Sequence, residues 1–472
     1  MTPAQSLLID TVRTRFGPRA AITDAADIAP WLADWRRRFH GASAAVLSPA
    51  STAEVAAIVA LAAEHRVALV PQGGNTSMVG GATPPADGSA LIVSLRRMNQ
   101  LRSISADDSR AVAEAGMILA DLHGHAAAVG RRFPLTLGAR GSCTIGGLIA
   151  TNAGGTQVLR FGTMRALVAG VEAVLPDGSV HDGLTGLAKD NRGYSLDQLL
   201  VGSEGTLGIV TAAALKLVPA IAGRAVAWAG LADPQRALDL LRFLQQRSNA
   251  IEGFEIVPAD ALDLVLAHIP GTRNPLSGSH PWHVLIEATT DADAGTLVAT
   301  LEGLLGAAND AGLIADATVA ASEAQAEALW KIRDSIAEAE RAAGGSLAHD
   351  ISVAIPAMPR FIVAAAAEVE RAFPGTRASA FGHLGDGNVH FHVRAADPAT
   401  NAKLLDDAPA IARLVDDLVT AAGGSISAEH GIGQLKVAEL ERLAPPGRLA
   451  ALKAIKHSLD PHGLMNPGKL IR

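Results

Sequence analysis

The sequence predicts a mixed helix-and-strand globular protein in two parts, divided near residue 220. Three observations carry this. Up to Pro219, short strand-like runs alternate with dense glycine loops. Beyond Pro219 glycine thins out and longer helical patterns take over. Over 472 residues, 49% apolar against 18% charged gives enough material for buried cores in two or three domains.

Taken in order, Met1–Phe16 alternates with helical spacing, with Leu7, Leu8 and Val12 apolar and Asp10, Arg13 and Arg15 polar. It lacks the long apolar core and cleavage site of a signal peptide, so it is read as part of the folded protein, in the cytoplasm. Residues 53–65 form a helix with Val55, Ile58, Val59 and Ala62 on one face, capped by Ser51 or Thr52. The run Val67–Val70 is a short strand that breaks into a glycine loop, and Ala90–Ser94 is a second strand. A helix over Leu119–Val129, a strand over Val168–Leu175 closed by Pro176-Asp177-Gly178, and a strand over Ile209–Val218 complete the first part. In the second part helices are predicted at 234–248, 292–308, 322–343 and 358–373, with short strands such as His283–Ala288 between them. Ala450–Leu459 is a last helix, closed by Pro461-His462-Gly463.

Composition excludes several classes. A net charge of −7 offers no basic footprint for nucleic acid. No apolar stretch is long enough for a membrane span: Ile58–Val70 is broken by Glu64, His65 and Arg66. The single cysteine, Cys143, rules out an internal disulfide and a cysteine metal cluster, so a metal must use His, Asp or Glu. Its place in a glycine loop suits a small packed residue.

Three glycine-rich stretches stand out: Pro71–Gly81; Gly141–Gly147 with Thr151–Gly155; and Gly202–Gly208. Glycine permits close backbone approach, so successive N–H groups can converge on an anion, and the interleaved Ser and Thr hydroxyls add donors. A single such loop is more simply a turn. Three in one part, with no Lys in the first or third, suit a diphosphate held by backbone amides. None matches G-x-G-x-x-G, so a Rossmann site is not supported. Gly463–Lys469 fits G-x-x-x-x-G-K, but Leu470 stands where a P-loop needs Ser or Thr, and no helix follows.

The richest segment is Gly382–His392. Asp386-Gly387-Asn388 reads as a turn entering a strand, on which His390 and His392 share a face, with His383 across the turn. Downstream, Glu429 and His430 lie in another glycine-bounded loop. Two imidazoles and a carboxylate form a suitable shell for a divalent metal with a position open to substrate. His383 alone reads more simply as a structural histidine; the pattern as a whole favours function. Arg333 lies in a helical stripe with Leu329, Trp330, Ile336 and Ala337, so its charge needs a partner. An internal ion pair with Asp or Glu, or snorkelling along the surface, accounts for it as well as a substrate carboxylate does.

These motifs together resemble the FAD-linked 2-hydroxy-acid dehydrogenases of the vanillyl-alcohol-oxidase-type flavoproteins, the D-2-hydroxyglutarate and D-lactate dehydrogenases above all. The likeness runs from about residue 40 to Lys469 and includes Asn466-Pro-Gly-Lys469. It implies an α+β fold: an FAD domain of two subdomains over 1–220 (core about 40–220), a substrate and metal domain with an antiparallel sheet flanked by helices over 221–445, and a segment 446–472 returning to the FAD domain. By that resemblance Pro71, Gly73, Gly74, Asn75, Thr76, Ser77, Gly80 and Gly81 hold the FAD diphosphate. Ser142, Gly147, Asn152, Gly155, Glu204, Gly205, Ile209 and Asn466 line the rest of the cofactor. His40 and His65 lie outside the loops, so FAD is expected to be non-covalent. His383, His390 and Glu429 become ligands of a divalent metal, zinc or manganese, with His430 the base and Arg333 the carboxylate clamp.

The implied reaction is oxidation of a small D-2-hydroxy acid to the 2-oxo acid. An electron-transfer flavoprotein or a quinone would be the acceptor, and the protein a homodimer. Glutarate-type members carry a Thr one turn after the arginine, a Lys before the His/Tyr-Asp of the next segment, and an Asn two residues after the second metal histidine. Here Ala337, Ala348 and His392 take those places, which leaves room for D-lactate-like, aromatic or longer acids. A flavin oxidase using O₂ shares the fold. A metal-dependent hydrolase is the rival from another class, but it leaves the three glycine loops unexplained.

Overall fold

The computed structural model describes residues 1–187, 189–292 and 294–472, and divides into two compact units. The first comprises Met1–Gly155, Phe161–Ala220 and Glu429–Arg472; the second comprises Thr156–Arg160 and Ile221–Ala428. The returning segment thus begins at Glu429 rather than at 446.

The first unit holds two larger sheets. One has four strands, in the order Ala21–Ile22, Val46–Leu47, Ala90–Ser94, Ala68–Gln72, the last three parallel. Every residue of Ala90–Ser94 is buried, as a strand covered on both faces requires. Against this sheet's apolar cluster packs the helix Thr52–His65, through the predicted Val55, Ile58, Val59 and Ala62. Ser51 caps it by accepting the Glu54 N–H, and Arg66 ends it in the left-handed region at φ 56°. The other sheet has five antiparallel strands, in the order Leu101–Ser105, Arg110–Glu114, Ile209–Lys216, Val168–Val174, Val180–Asp182. The hairpin over 101–114 has no counterpart in the sequence reading, because its outer strand is polar and half exposed.

The second unit is built on a seven-stranded antiparallel sheet. Its order is Asp316–Val319, Gly223–Leu231, Trp282–Thr290, Ile251–Pro258, Thr376–His383, Asn388–Ala395, Leu347–Ser352. Val226, Trp228, Val257 and Leu285 from the sheet pack with Leu262, Leu329, Trp330 and Ile336 from helices. The helix expected over 322–343 is observed as two, Glu323–Asp334 and Ile336–Ala342, broken at Ser335. The break lets both pieces bury an apolar edge, Leu329 and Trp330 on one and Ile336 and Ala339 on the other. The helix expected over 292–308 is observed as Leu297–Asp310, with residue 293 outside the described residues. Asn401–Ala421, with Pro409 inside it, was not anticipated from the sequence.

Candidate functional site

The first unit encloses a cavity of about 540 Å³ whose wall is drawn from all three glycine loops. From the first loop come Pro71, Gly73, Gly74 and Asn75, followed by Thr76, Ser77 and Gly81. Ser142 and Gly147 come from the second, and Glu204, Gly205 and Ile209 from the third. The loops meet backbone to backbone. A Cβ on Gly74 would lie 2.0 Å from the Ser142 carbonyl oxygen, and one on Gly73 would lie 2.2 Å from Thr144 Oγ1. Contacts this short leave no room for a side chain, so the glycines are required by the approach of the second loop.

Four expected wall residues lie behind the wall instead. Gly80, at φ +70°, is where the Phe39 ring packs. Asn152 Oδ1 accepts from Thr163 Oγ1 and the Arg165 N–H. Gly155 lies against the Thr136 carbonyl, 2.3 Å from where its Cβ would be. Asn466 donates through Nδ2 to the carbonyls of Gly81 and Glu204, at 3.0 and 2.6 Å. These residues shape the loops and do not face the cavity. Conversely, Trp35 and Thr144 line it without having been foreseen.

Glu429 and His430 also line this cavity, with His430 Nε2 3.9 Å from Glu429 Oε1. Glu204 holds their segment in place. Its two carboxylate oxygens accept the N–H groups of Ile432 and Gly433, each at 2.7 Å. Burial pushes the Glu204 carboxyl upward, and the two amides pull it back.

The wall fits a flavin dinucleotide on three grounds. Among the described residues it contains no Lys or Arg, so a diphosphate must be met by amides and hydroxyls. The Thr144 hydroxyl is buried with no hydrogen-bond partner among the described residues, although the residue stands at the cap of the helix Ile145–Ala150. A buried orphan donor of this kind calls for a ligand acceptor. The wall is otherwise apolar, with Leu95, Leu137, Leu148 and Val210, as an aromatic ring system needs.

In the second unit the hairpin Thr376–His383/Asn388–Ala395 pairs His383 with Asn388, Phe381 with His390 and Ser379 with His392. The rings of His383 and His390 lie 5.4 Å apart between centroids. The residue that organises them is Glu255, on the strand Ile251–Pro258, with no solvent exposure. It accepts from Arg333 Nε at 2.7 Å and pairs with His383 Nδ1 at 2.5 Å. Burial favours its neutral acid, but His383 and Arg333 outweigh this and hold it well below the usual carboxylate range. Burial likewise opposes charge on His383, yet Glu255 raises that imidazole to about 9. His390 is lowered, by burial first and then by Arg333 and His383.

Tying Nδ1 of His383 to a carboxylate leaves Nε2 as its coordinating nitrogen, the arrangement of a metal-binding histidine. With the His390 ring beside it, the pair could hold a divalent ion such as zinc or manganese. Arg333 spends only Nε on Glu255; neither terminal nitrogen has a hydrogen bond among the described residues. Both alternatives for the arginine therefore remain compatible: it has an internal acid, and it keeps a free edge. Glu255 was missed because one Glu in an apolar run gives no sign of its partners, which lie 78 and 128 residues away.

Comparison with known proteins agrees with this geometry. Residues 43–183 match the family model described as FAD binding domain, and residues 222–470 the one described as FAD linked oxidases, C-terminal domain. The D-2-hydroxyglutarate dehydrogenase of Xanthomonas citri is 38% identical over 95% of this chain and 93% of its own length. The mitochondrial D-2-hydroxyglutarate dehydrogenase of Arabidopsis thaliana is 38% identical over 93% of this chain and 77% of its own. A putative D-lactate dehydrogenase of Schizosaccharomyces pombe is 34% identical, covering 95% and 86%. Among solved structures, p-cresol methylhydroxylase superposes with a TM-score of 0.73 at 14% identity, covering 99% of this chain and 97% of that one, which shows the fold alone. No helix among the described residues is long and apolar enough to cross a membrane. The chain belongs to the FAD-linked oxidase family, in its D-2-hydroxy-acid dehydrogenase branch, and is an FAD-dependent oxidoreductase.

Proposed function

We propose that this chain oxidises a small D-2-hydroxy acid to the 2-oxo acid, with His430 as the base and Arg333 as the carboxylate clamp. The observation that carries the reading is His430 on the wall of the glycine-loop cavity, in a segment pinned by Glu204. FAD, when bound, supplies the acceptor for the hydride leaving Cα. His430 takes the hydroxyl proton, a role suited to an imidazole whose ordinary pKa is roughly 6.5. Arg333 presents its terminal nitrogens to the substrate carboxylate while Glu255 holds the guanidinium in place. His383 and His390 would hold a divalent metal, which lowers the pKa of a coordinated hydroxyl; Glu429 as the third ligand rests on the sequence resemblance. The same resemblance supports an electron-transfer flavoprotein or a quinone as acceptor and a homodimer.

The test is an anaerobic visible spectrum before and after adding D-lactate, D-2-hydroxyglutarate and their L-forms. Flavin bands that bleach with a D-acid and not its L-form support the reading. Bands untouched by any D-2-hydroxy acid count against it. His430→Asn should keep its flavin and slow bleaching at least a hundredfold, the usual scale of a lost general base; normal bleaching would remove His430 from the mechanism.

A further inference from the structure

We infer that Glu340, through its pairing with His392, makes this a dehydrogenase of monocarboxylic D-2-hydroxy acids with uncharged side chains, in preference to dicarboxylic ones. The inference rests on the hydroxy-acid reading above and names its substrate class.

His390 and His392 alternate along Asn388–Ala395 and so face the same way. Phe381 on the neighbouring strand joins them, its ring centroid 5.3 Å from that of His390 and 4.9 Å from that of His392. The Arg333 guanidinium carbon lies 5.4 Å from the Phe381 ring. Arg333, Phe381, His390 and His392 are therefore one continuous wall, and a carboxylate held by Arg333 directs the rest of a small substrate along it.

Apart from the metal site, the cationic side chains on this wall provide for one carboxylate only. Arg333 can take one with its terminal nitrogens. The next candidate cation, His392, is already engaged through Nδ1 by Glu340, which reaches in from Ile336–Ala342 and is 2% exposed. Oε2 of Glu340 takes both that bond and the Ser346 hydroxyl at 3.0 Å, while Oε1 has no hydrogen-bond partner among the described residues. A second substrate carboxylate here would give up its water and find the next cations along this face, His392 and Arg394, each already engaged by an acid, Glu340 and Asp260. Buried charge without a partner is strongly disfavoured, and leaving a charge unpaired is one way a site rejects a near-analogue.

The experiment is anaerobic stopped-flow reduction of the purified flavoprotein by D-lactate, D-2-hydroxybutyrate and D-2-hydroxyglutarate. For the better monoacid, the reduction rate over Kd should exceed that for D-2-hydroxyglutarate at least tenfold. Glu340→Gln should raise the diacid relative to the monoacid by about tenfold, mainly through Kd, at unchanged flavin content. A purely structural role for Glu340 would move both substrates together and overturn the inference. Faster reduction by the diacid in the wild type would also overturn it, while leaving the hydroxy-acid reading intact; this comparison needs no variant to fold. Failure of every D-2-hydroxy acid to reduce the flavin would overturn the reading and the inference together.

Discussion

The cavity of the first unit and the histidine-bearing sheet face of the second handle buried polarity in opposite ways. The cavity is a backbone device. Its wall has glycines where loops touch, hydroxyls where a donor is needed and, among the described residues, no Lys or Arg. The sheet face is a side-chain device, in which Glu255 and Glu340, 0% and 2% exposed, are each matched to a histidine. Backbone amides bring fixed partial charges that are poorly solvated at the outset, so a loop can offer them to a diphosphate at modest cost. Full charges lose much more on burial and persist only when a partner is supplied by another strand or helix. A cavity for a large ligand can thus be assembled from local segments, whereas the charged sheet face needs long-range pairing.

Three experiments probe that difference, taken from the largest effect to the smallest. Glu255→Gln strands Arg333 and His383 without their anion; breaking a buried pair costs about 3–5 kcal/mol. Its urea midpoint should fall sharply while any protein that remains folded keeps FAD. An unchanged midpoint would mean that the side-chain device is not held together by its acid. Gly74→Ala drives a Cβ into the Ser142 carbonyl, a strain of about 1–3 kcal/mol in a packed site. It should weaken FAD at least tenfold, read as flavin-to-protein absorbance after dialysis. Full retention of flavin would show that the two loops need not touch.

The gentlest test uses pH. Burial pushes His283 down to about 4, and its neutral ring accepts the Trp228 indole N–H at 3.1 Å. Against an unfolded value of roughly 6.5, its contribution is complete above that pH and is lost as pH falls from 6.5 towards 4. His383 has the opposite sign. Raised to about 9 beside Glu255, it contributes fully below roughly 6.5 and loses that contribution as pH rises through about 9. Metal-free protein should therefore be most resistant to urea near pH 6.5 and weaker at both pH 5 and pH 9. A flat profile would contradict both assignments.

Much of the first unit was legible because its signals are local. Ser51, the 3.6-residue spacing of Val55, Ile58, Val59 and Ala62, and the run Ala90–Ser94 each declare an element within a few residues. The glycine loops were legible in the same way, since close approach leaves a compositional mark. Gly80, Asn152, Gly155 and Asn466 show the limit: their residue types suited a cofactor wall, yet they turn to Phe39, Arg165, Thr136 and Glu204. Residue type announces a special backbone or a polar contact without saying which side of the loop it serves.

By itself, then, the sequence determined the helix and strand periodicities, the division near residue 220, the flavin-type loops and the shared face of His390 and His392. Each follows from spacing within one segment. Only the tertiary structure decided that Glu255 would pin His383 and Arg333, that Glu340 would occupy His392, and that Glu204 would anchor the segment carrying His430. Those pairings join residues dozens to hundreds of positions apart, and strand order and helix packing select them from many acids of equal local character.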